Sequence, residues 1–262
     1  MSDYTSKIRD WLEKSGYPLE MQVAKGLQKA GFGVVQSEYF EDEESSKWRE
    51  TDVIGYEEHR SETCRALFSL IVECKGGKDK PWVLFTCHDN YPSGLSISRR
   101  ASSDKGDSIL RVLALKDEVK SNPLFSVPDR PGYSLTVANI GGGNSDVAYN
   151  ALQSVCKASL GLINRIDNLP FENIIPFAWP VIVINAPLYE SYLDDDGEVQ
   201  ISEITEGLLI WKNPVIARHT FVHVYTRDKF LDSVESIRQN AIEYMKHAAE
   251  ENDRSPRTEE SS

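Results

Sequence analysis

The chain has 262 residues, 40% hydrophobic and 27% charged, enough apolar material for the core of one large domain or one domain with an elaboration. No run approaches the ~18 apolar residues that a membrane span needs. The net charge of −12 excludes a broadly basic surface, so a phosphate-binding surface must be local or come from a partner.

Asp3 to Ser15 reads as a short helix, with Ile8, Trp11 and Leu12 at helical spacing and Gly16 as its stop. Pro18, in a first turn, opens a second helix to about Ala30, with Leu19, Val23, Leu27 and Ala30 as its buried stripe. Three strands are predicted next: Val34 to Phe40, Thr51 to Tyr56, and Leu67 to Lys75, whose continuous apolar half marks it as central. An exposed acidic loop, Glu41 to Ser46, separates the first two. Gly76-Gly77 stops the third strand, and Pro81 to Cys87 is extended again. From His88 to Pro131 the pattern yields only a short helix around Ser108 to Val119.

The glycines at 141–143 precede a clear helix from about Ser145 to Leu160. Pro180 to Ala186 reads as a buried strand, Asp194 to Gly197 as a turn, and Val199–Ile201, Gly207–Trp211 and Thr220–Tyr225 as further strands. A last helix carries Phe230, Val234, Ile237, Ala241, Tyr244 and Ala248 on one face, and residues 250–262 read as a disordered tail. The order helix, strand, strand, strand, helix, strand predicts a mixed α/β sheet flanked by helices, its first strands forming a meander. The N-terminus has no apolar stretch to suggest secretion, and Cys64, Cys74, Cys87 and Cys156 show no metal-ligand spacing. Buried, reduced thiols in a cytoplasmic protein are expected.

In the segment SLIVECK, strand alternation points Glu73 and Lys75 the same way and Cys74 the other. A carboxylate and an ammonium then emerge together from a buried strand, which needs a metal ion, a substrate phosphate or a mutual ion pair as compensation. In RETDVIGY, Asp52 begins the preceding strand, and an antiparallel hairpin sets it beside Glu73. Two carboxylates and the Cys74 carbonyl offer hard oxygen ligands suited to Mg2+. Lys75 is placed to orient or deprotonate a water, or to offset charge on a phosphorane-like transition state. Glu20 flanks the buried stripe of the second helix and can reach the sheet; Glu50 shares a face with Asp52 and competes for the acidic role.

Glu20, Asp52 and Glu73-Cys74-Lys75, in PLEMQVAKGLQKAGFGVV, RETDVIGY and LIVECKGGKDKPWVLF (residues 18 to 86), resemble the PD-(D/E)xK, or restriction-endonuclease-like, superfamily. The resemblance implies an αβββαβ core and hydrolysis of DNA phosphodiester bonds with Mg2+ or Mn2+, in defence against foreign DNA or in repair. It makes Asp52 and Glu73 metal ligands, Lys75 the catalytic lysine and Glu20 an accessory acid. Thr51 stands where the full pattern has proline. Some branches use a Gln or Lys from the following helix, for which Gln153 and Lys157 are the candidates. On this basis residues 1–249 form one nuclease-like domain, with a core over about 3–186, a β-rich elaboration over 187–249 and a tail beyond. A catalytically inactive module that binds a partner protein or nucleic acid is the alternative, and a helicase or ATPase is a fitting partner.

Other features have plainer readings. The Asp194–Asp196 cluster lacks the ligand spacing of a calcium loop and suits a hairpin turn. Gly141 to Ser145 can hold an anion at a helix start, or simply cap it. His219 and His223 share a strand face without an evident third ligand. Arg99-Arg100 with Lys105, and Lys78 with Lys80, are the local basic patches.

Overall fold

A computed structural model describes residues 3–42, 46–77, 80–88, 93–138, 146–169, 173–212 and 219–254. Helix α1 (Asp3–Lys14) leads into α2 (Tyr17–Ala30), which starts on its proline and buries Leu19, Val23, Ala24 and Leu27. Gly31 ends α2 in the left-handed region, at φ 92°, where only glycine sits without strain. There the N–H of Gly31 donates to the Gln28 carbonyl and that of Phe32 to Leu27. Strands β1 (Gly33–Asp42), β2 (Lys47–Arg60) and β3 (Arg65–Lys75) form the expected antiparallel meander.

The middle of the chain holds β4 (Trp82–Thr86), α3 (Ser93–Ser98), β5 (Ala101–Ser102), α4 (Asp104–Leu113), α5 (Asp117–Lys120), a 3-10 turn (Pro123–Phe125) and β6 (Gly132–Val137). Helix α6 (Asp146–Asp167) and β7 (Ile174–Ile184) follow, then β8 (Leu188–Leu193), β9 (Val199–Ile204), β10 (Glu206–Lys212), β11 (His219–Thr226) and α7 (Arg227–Arg254). Among the described residues one mixed sheet runs in the order β1-β2-β3-β7-β11-β10-β6-β4-β8-β9, with β5 paired to β7. Strands β3 and β7 pair in parallel without a break from Arg65↔Ile174 to Lys75↔Ile184, a register that only two deeply buried strands sustain. The strands read as an elaboration belong to this sheet, β11 lying directly beside β7.

The sheet has a core on each face. Helices α2, α4 and α7 pack on one, around Trp179, whose ring lies 5.1 Å from that of Phe68, 5.4 Å from Phe125 and 6.0 Å from Tyr244. Each such buried side chain contributes roughly 1.5–3 kcal/mol. Helix α6 covers the other face through Ala148, Ala151, Leu152, Val155 and Ala158. No helix among the described residues is long and apolar enough to cross a membrane.

Several local expectations are corrected. Asp42, placed by composition in an exposed loop, ends β1 and is 3% exposed, held by Arg49 at 2.6 Å and Lys157 at 3.1 Å. The helix expected over 108–119 is two, α4 and α5. Ser103 starts the first by accepting the Gly106 N–H, and Lys116, in an extended conformation, separates it from the second. Strand β6 escaped prediction because its outward residues interrupt any apolar run. Helix α7 continues through 250–254 because its polar end is tied down. Glu251 pairs with Lys116 at 2.7 Å, Asn252 donates to Thr63 at 2.8 Å, and Asp253 accepts from Ser61 at 2.9 Å. Residues 255–262, Lys78 and the 141–145 loop lie outside the described residues.

Candidate active site

The β2–β3 ladder runs from Arg60↔Arg65 to Val53↔Val72 and stops where Asp52 would face Glu73. Asp52 instead turns its carboxylate onto β3, and Oδ2 accepts the Cys74 N–H at 2.7 Å. Across β1, the pairs Gln36↔Val53 and Glu38↔Thr51 flank Ser37, whose φ of 54° a non-glycine residue rarely adopts. Asp52 therefore occupies a gap in both ladders, next to backbone strain of the kind found at functional sites.

Glu73 and Lys75 point together toward the α6 face, as alternation requires. Glu73 is 5% exposed. Its Oε1 accepts from Lys75 Nζ at 2.5 Å and its Oε2 from the Ser154 hydroxyl on α6 at 2.8 Å. Glu20 approaches from the first turn of α2. A methyl group at Gly16 would lie 3.3 Å from Glu20 Oε1, and one at Gly76 would lie 3.9 Å from the Gly16 Cα. The start of α2 thus abuts the glycine that ends β3, which carries Glu20 to the site.

Electrostatics link these groups. Burial and then the Glu73 charge push the Asp52 carboxyl up to about 7, against the pull of the Cys74 N–H and Lys75. Burial raises Glu20 as well, helped by Glu50 and Glu73. Burial opposes the charge on Lys75, but Glu73, through its charge and hydrogen bond, and Asp52 outweigh this and raise it. Burial, and next Asp52, hold the Cys74 thiol protonated on the opposite face.

The donors that converge are all hard oxygens, and the crowding that raises Asp52 and Glu20 is the kind a cation relieves. Among the described residues no three His, Cys, Asp or Glu side chains are already spaced around one ion. Mg2+ commonly takes one or two carboxylates and keeps several waters, so Asp52 and Glu73 suit it in kind and number.

The secondary candidates mostly go elsewhere. Glu50 is exposed and accepts from the Tyr39 hydroxyl at 3.3 Å, within electrostatic range of Glu20. Gln153 donates to Tyr149 at 2.8 Å and Lys157 pairs with Asp42, so the α6 residue that touches the cluster is Ser154, which sequence reasoning missed. Its signal was faint: a hydroxyl between Ala151 and Ala158 on an otherwise apolar helix face. Arg100 is 1% exposed, which removes it from any basic surface patch, and Lys105 donates to Asn173. His223 contacts Arg100. The Asp194 turn is a hairpin, with Asp194 Oδ1 accepting from the Asp196 and Glu198 N–H groups at 3.1 and 2.9 Å. The four cysteines are free, and Cys87, expected to be buried, is exposed beyond the end of β4. In comparisons with known proteins, no family model, curated protein or solved structure matched this chain.

Proposed function

We propose that the chain is a Mg2+- or Mn2+-dependent nuclease of the PD-(D/E)xK type that hydrolyses phosphodiester bonds in DNA. The observation that carries this is the Asp52 carboxylate bound to the Cys74 N–H, beside the Glu73–Lys75 pair, at the end of two buried strands. With the segment from β4 to β6 inserted between β3 and α6, the elements α2, β1-β2-β3, α6, β7, with β3 and β7 parallel, support it by following the αβββαβ pattern that the resemblance implies.

Asp52 and Glu73 would hold the ion, with the Cys74 carbonyl and Glu20, directly or through water, completing its shell. When bound, the ion supplies Lewis-acid polarisation of the phosphate and a lowered pKa for its water. The Cys74 N–H fixes the Asp52 carboxylate in one orientation, and Ser154 does the same for Glu73. Lys75, kept protonated by its two acidic neighbours, donates to Glu73 and is placed to hold the attacking water or a non-bridging phosphate oxygen. The water oxygen forms a bond to phosphorus as the bond to the leaving sugar oxygen breaks. The water gives its proton to solvent, and the leaving oxygen takes one from solvent. Charge that builds on the phosphate is offset by Lys75.

The test is cleavage of supercoiled, linear and single-stranded DNA by the full chain with Mg2+ or Mn2+. Asp52→Asn and Lys75→Met should each lower the rate at least about 100-fold. Cleavage that persists in both variants would overturn the assignment.

One observation favours a second reading. Both Glu73 oxygens already have protein donors, as in a site that has become structural. A catalytically silent module that binds a partner protein or nucleic acid would look this way. Calorimetric titration separates the two: heat of Mg2+ or Mn2+ binding that disappears in Asp52→Asn supports the nuclease, and a folded protein that takes up neither ion supports the module.

A further inference from the structure

On the sheet face opposite Glu73, the 3-10 turn, α7 and strands β10 and β11 enclose a cavity of about 390 Å3. Leu70, Trp179, Val181 and Ile237 give it an apolar lining. Ser126, Glu206, Ser233, Ser236 and Asn240 add polar groups at its sides, and β11 contributes His223 and Tyr225, two residues apart with stacked rings, 6.1 Å between centroids and 7° between planes.

Behind His223 lies Arg100. Its guanidinium is fully buried, with no carboxylate partner among the described residues, over the rings of Trp179 at 4.4 Å, Phe221 at 4.6 Å and Phe125 at 5.8 Å. It donates to the Leu124 carbonyl at 3.0 Å and the Ser96 hydroxyl at 3.2 Å, contacts His223 Nε2 at 3.2 Å, and leaves Nε unpartnered. Buried arginines ordinarily meet a carboxylate, and three ring faces offset only part of a missing one. Burial lowers this guanidinium to about 9, which still leaves it charged at neutral pH.

That charge determines the chemistry of His223. Arginine offers only donors, so Nε2 must present its lone pair and the one ring proton must sit on Nδ1. Burial, with Arg100 second, holds the ring neutral. Within the described residues the imidazole bonds only to Arg100, and the Tyr225 hydroxyl has no hydrogen-bond partner. Two donors therefore line one cavity, backed by an unneutralised cation. Glu206, on the rim, pairs with Lys229 at 3.1 Å; burial first and then the Glu206 charge keep the Tyr225 hydroxyl protonated, so it stays a donor.

We infer that this cavity binds a small organic anion with a planar apolar body, its carboxylate accepting from His223 Nδ1 and the Tyr225 hydroxyl. The body lies against Leu70, Trp179 and Val181, and Arg100 supplies the charge complement from behind His223. A volume of 390 Å3 suits a one- or two-ring compound. The inference is independent of the role of the carboxylate cluster on the other face.

The probes are 2-naphthoate, its neutral isostere 2-naphthamide and the cation 2-naphthylmethylamine, titrated into the full chain by calorimetry and ligand-observed NMR. Naphthoate should bind at least about tenfold more tightly than naphthamide, with the amine weakest. Tyr225→Phe, which removes one oxygen, should weaken naphthoate about fivefold while thermal unfolding stays near wild type. Arg100→Met should abolish the preference for the acid over the amide; if it does not fold, His223→Phe serves the same purpose. Equal affinity for acid and amide, tighter binding of the amine, no binding by any probe, or naphthoate affinity unchanged in Tyr225→Phe would each overturn it.

Discussion

Replacing Asp52 with Asn removes a negative charge from beside Glu73 while keeping an oxygen to accept the Cys74 N–H. In the folded chain the Asp52 carboxyl titrates at about 7, against an ordinary value of 3.8. At about 1.4 kcal/mol per pH unit, the ionised carboxylate is about 4 kcal/mol less favourable in the fold than in the unfolded chain. A pKa raised on folding means that the folded state holds the proton more tightly. The stabilising contribution is therefore complete below about 3.8 and is lost as the pH rises to about 7. Asp52→Asn does not titrate, so its advantage over wild type should grow from near zero at about pH 4 to as much as about 4 kcal/mol at about pH 8. Urea unfolding of both proteins in EDTA across this range measures the difference. Mg2+ or Mn2+ at about pH 8 should raise wild-type stability and leave the variant unmoved. A gap that is flat with pH would refute the crowding of Asp52 and Glu73, and equal stabilisation of both proteins by metal would refute Asp52 as a ligand.

Ser154→Ala removes the hydroxyl that holds Glu73 Oε2, and should destabilise the fold by about 1.5–3 kcal/mol at neutral pH, read by urea unfolding. Gly33→Ala would drive a methyl group to 2.3 Å from the ring of Tyr56, an exposed side chain free to swing aside, so the cost should be no more than about 1 kcal/mol. A double variant with Tyr56→Ala should recover part of that loss, and additive losses would exclude the clash. Ending the chain after Ala249 should lower stability by about 1–3 kcal/mol, since it removes the contacts of Glu251, Asn252 and Asp253; a freely disordered end would cost nothing.

Where burial follows a simple period, the residues announce their structure. The α2 stripe, its glycine stop and the apolar half of β3 are legible because an amphipathic helix and a doubly covered strand leave distinct patterns. The same periodicity predicts that Glu73 and Lys75 share a face and that a hairpin brings Asp52 to them. Asp42 shows the opposite case. Nothing in its acidic surroundings signals burial, which depends on Arg49 across the β1–β2 hairpin and Lys157 on a distant helix. The end of α7 likewise reads as tail by composition and is held by partners at Ser61, Thr63 and Lys116.

By itself, then, the amino-acid order determined the meander, the helices that flank it and the Asp52, Glu73 and Lys75 cluster, because short-range periodicity and one hairpin suffice to place them. Tertiary structure alone decided that Ser154 and not Gln153 meets Glu73, and that Arg100 is buried behind His223 instead of facing water. It also seated β10 and β11 within the sheet, β11 beside β7. Those outcomes rest on pairings across tens to more than a hundred residues, where many partners are compatible with the local pattern and only packing selects among them.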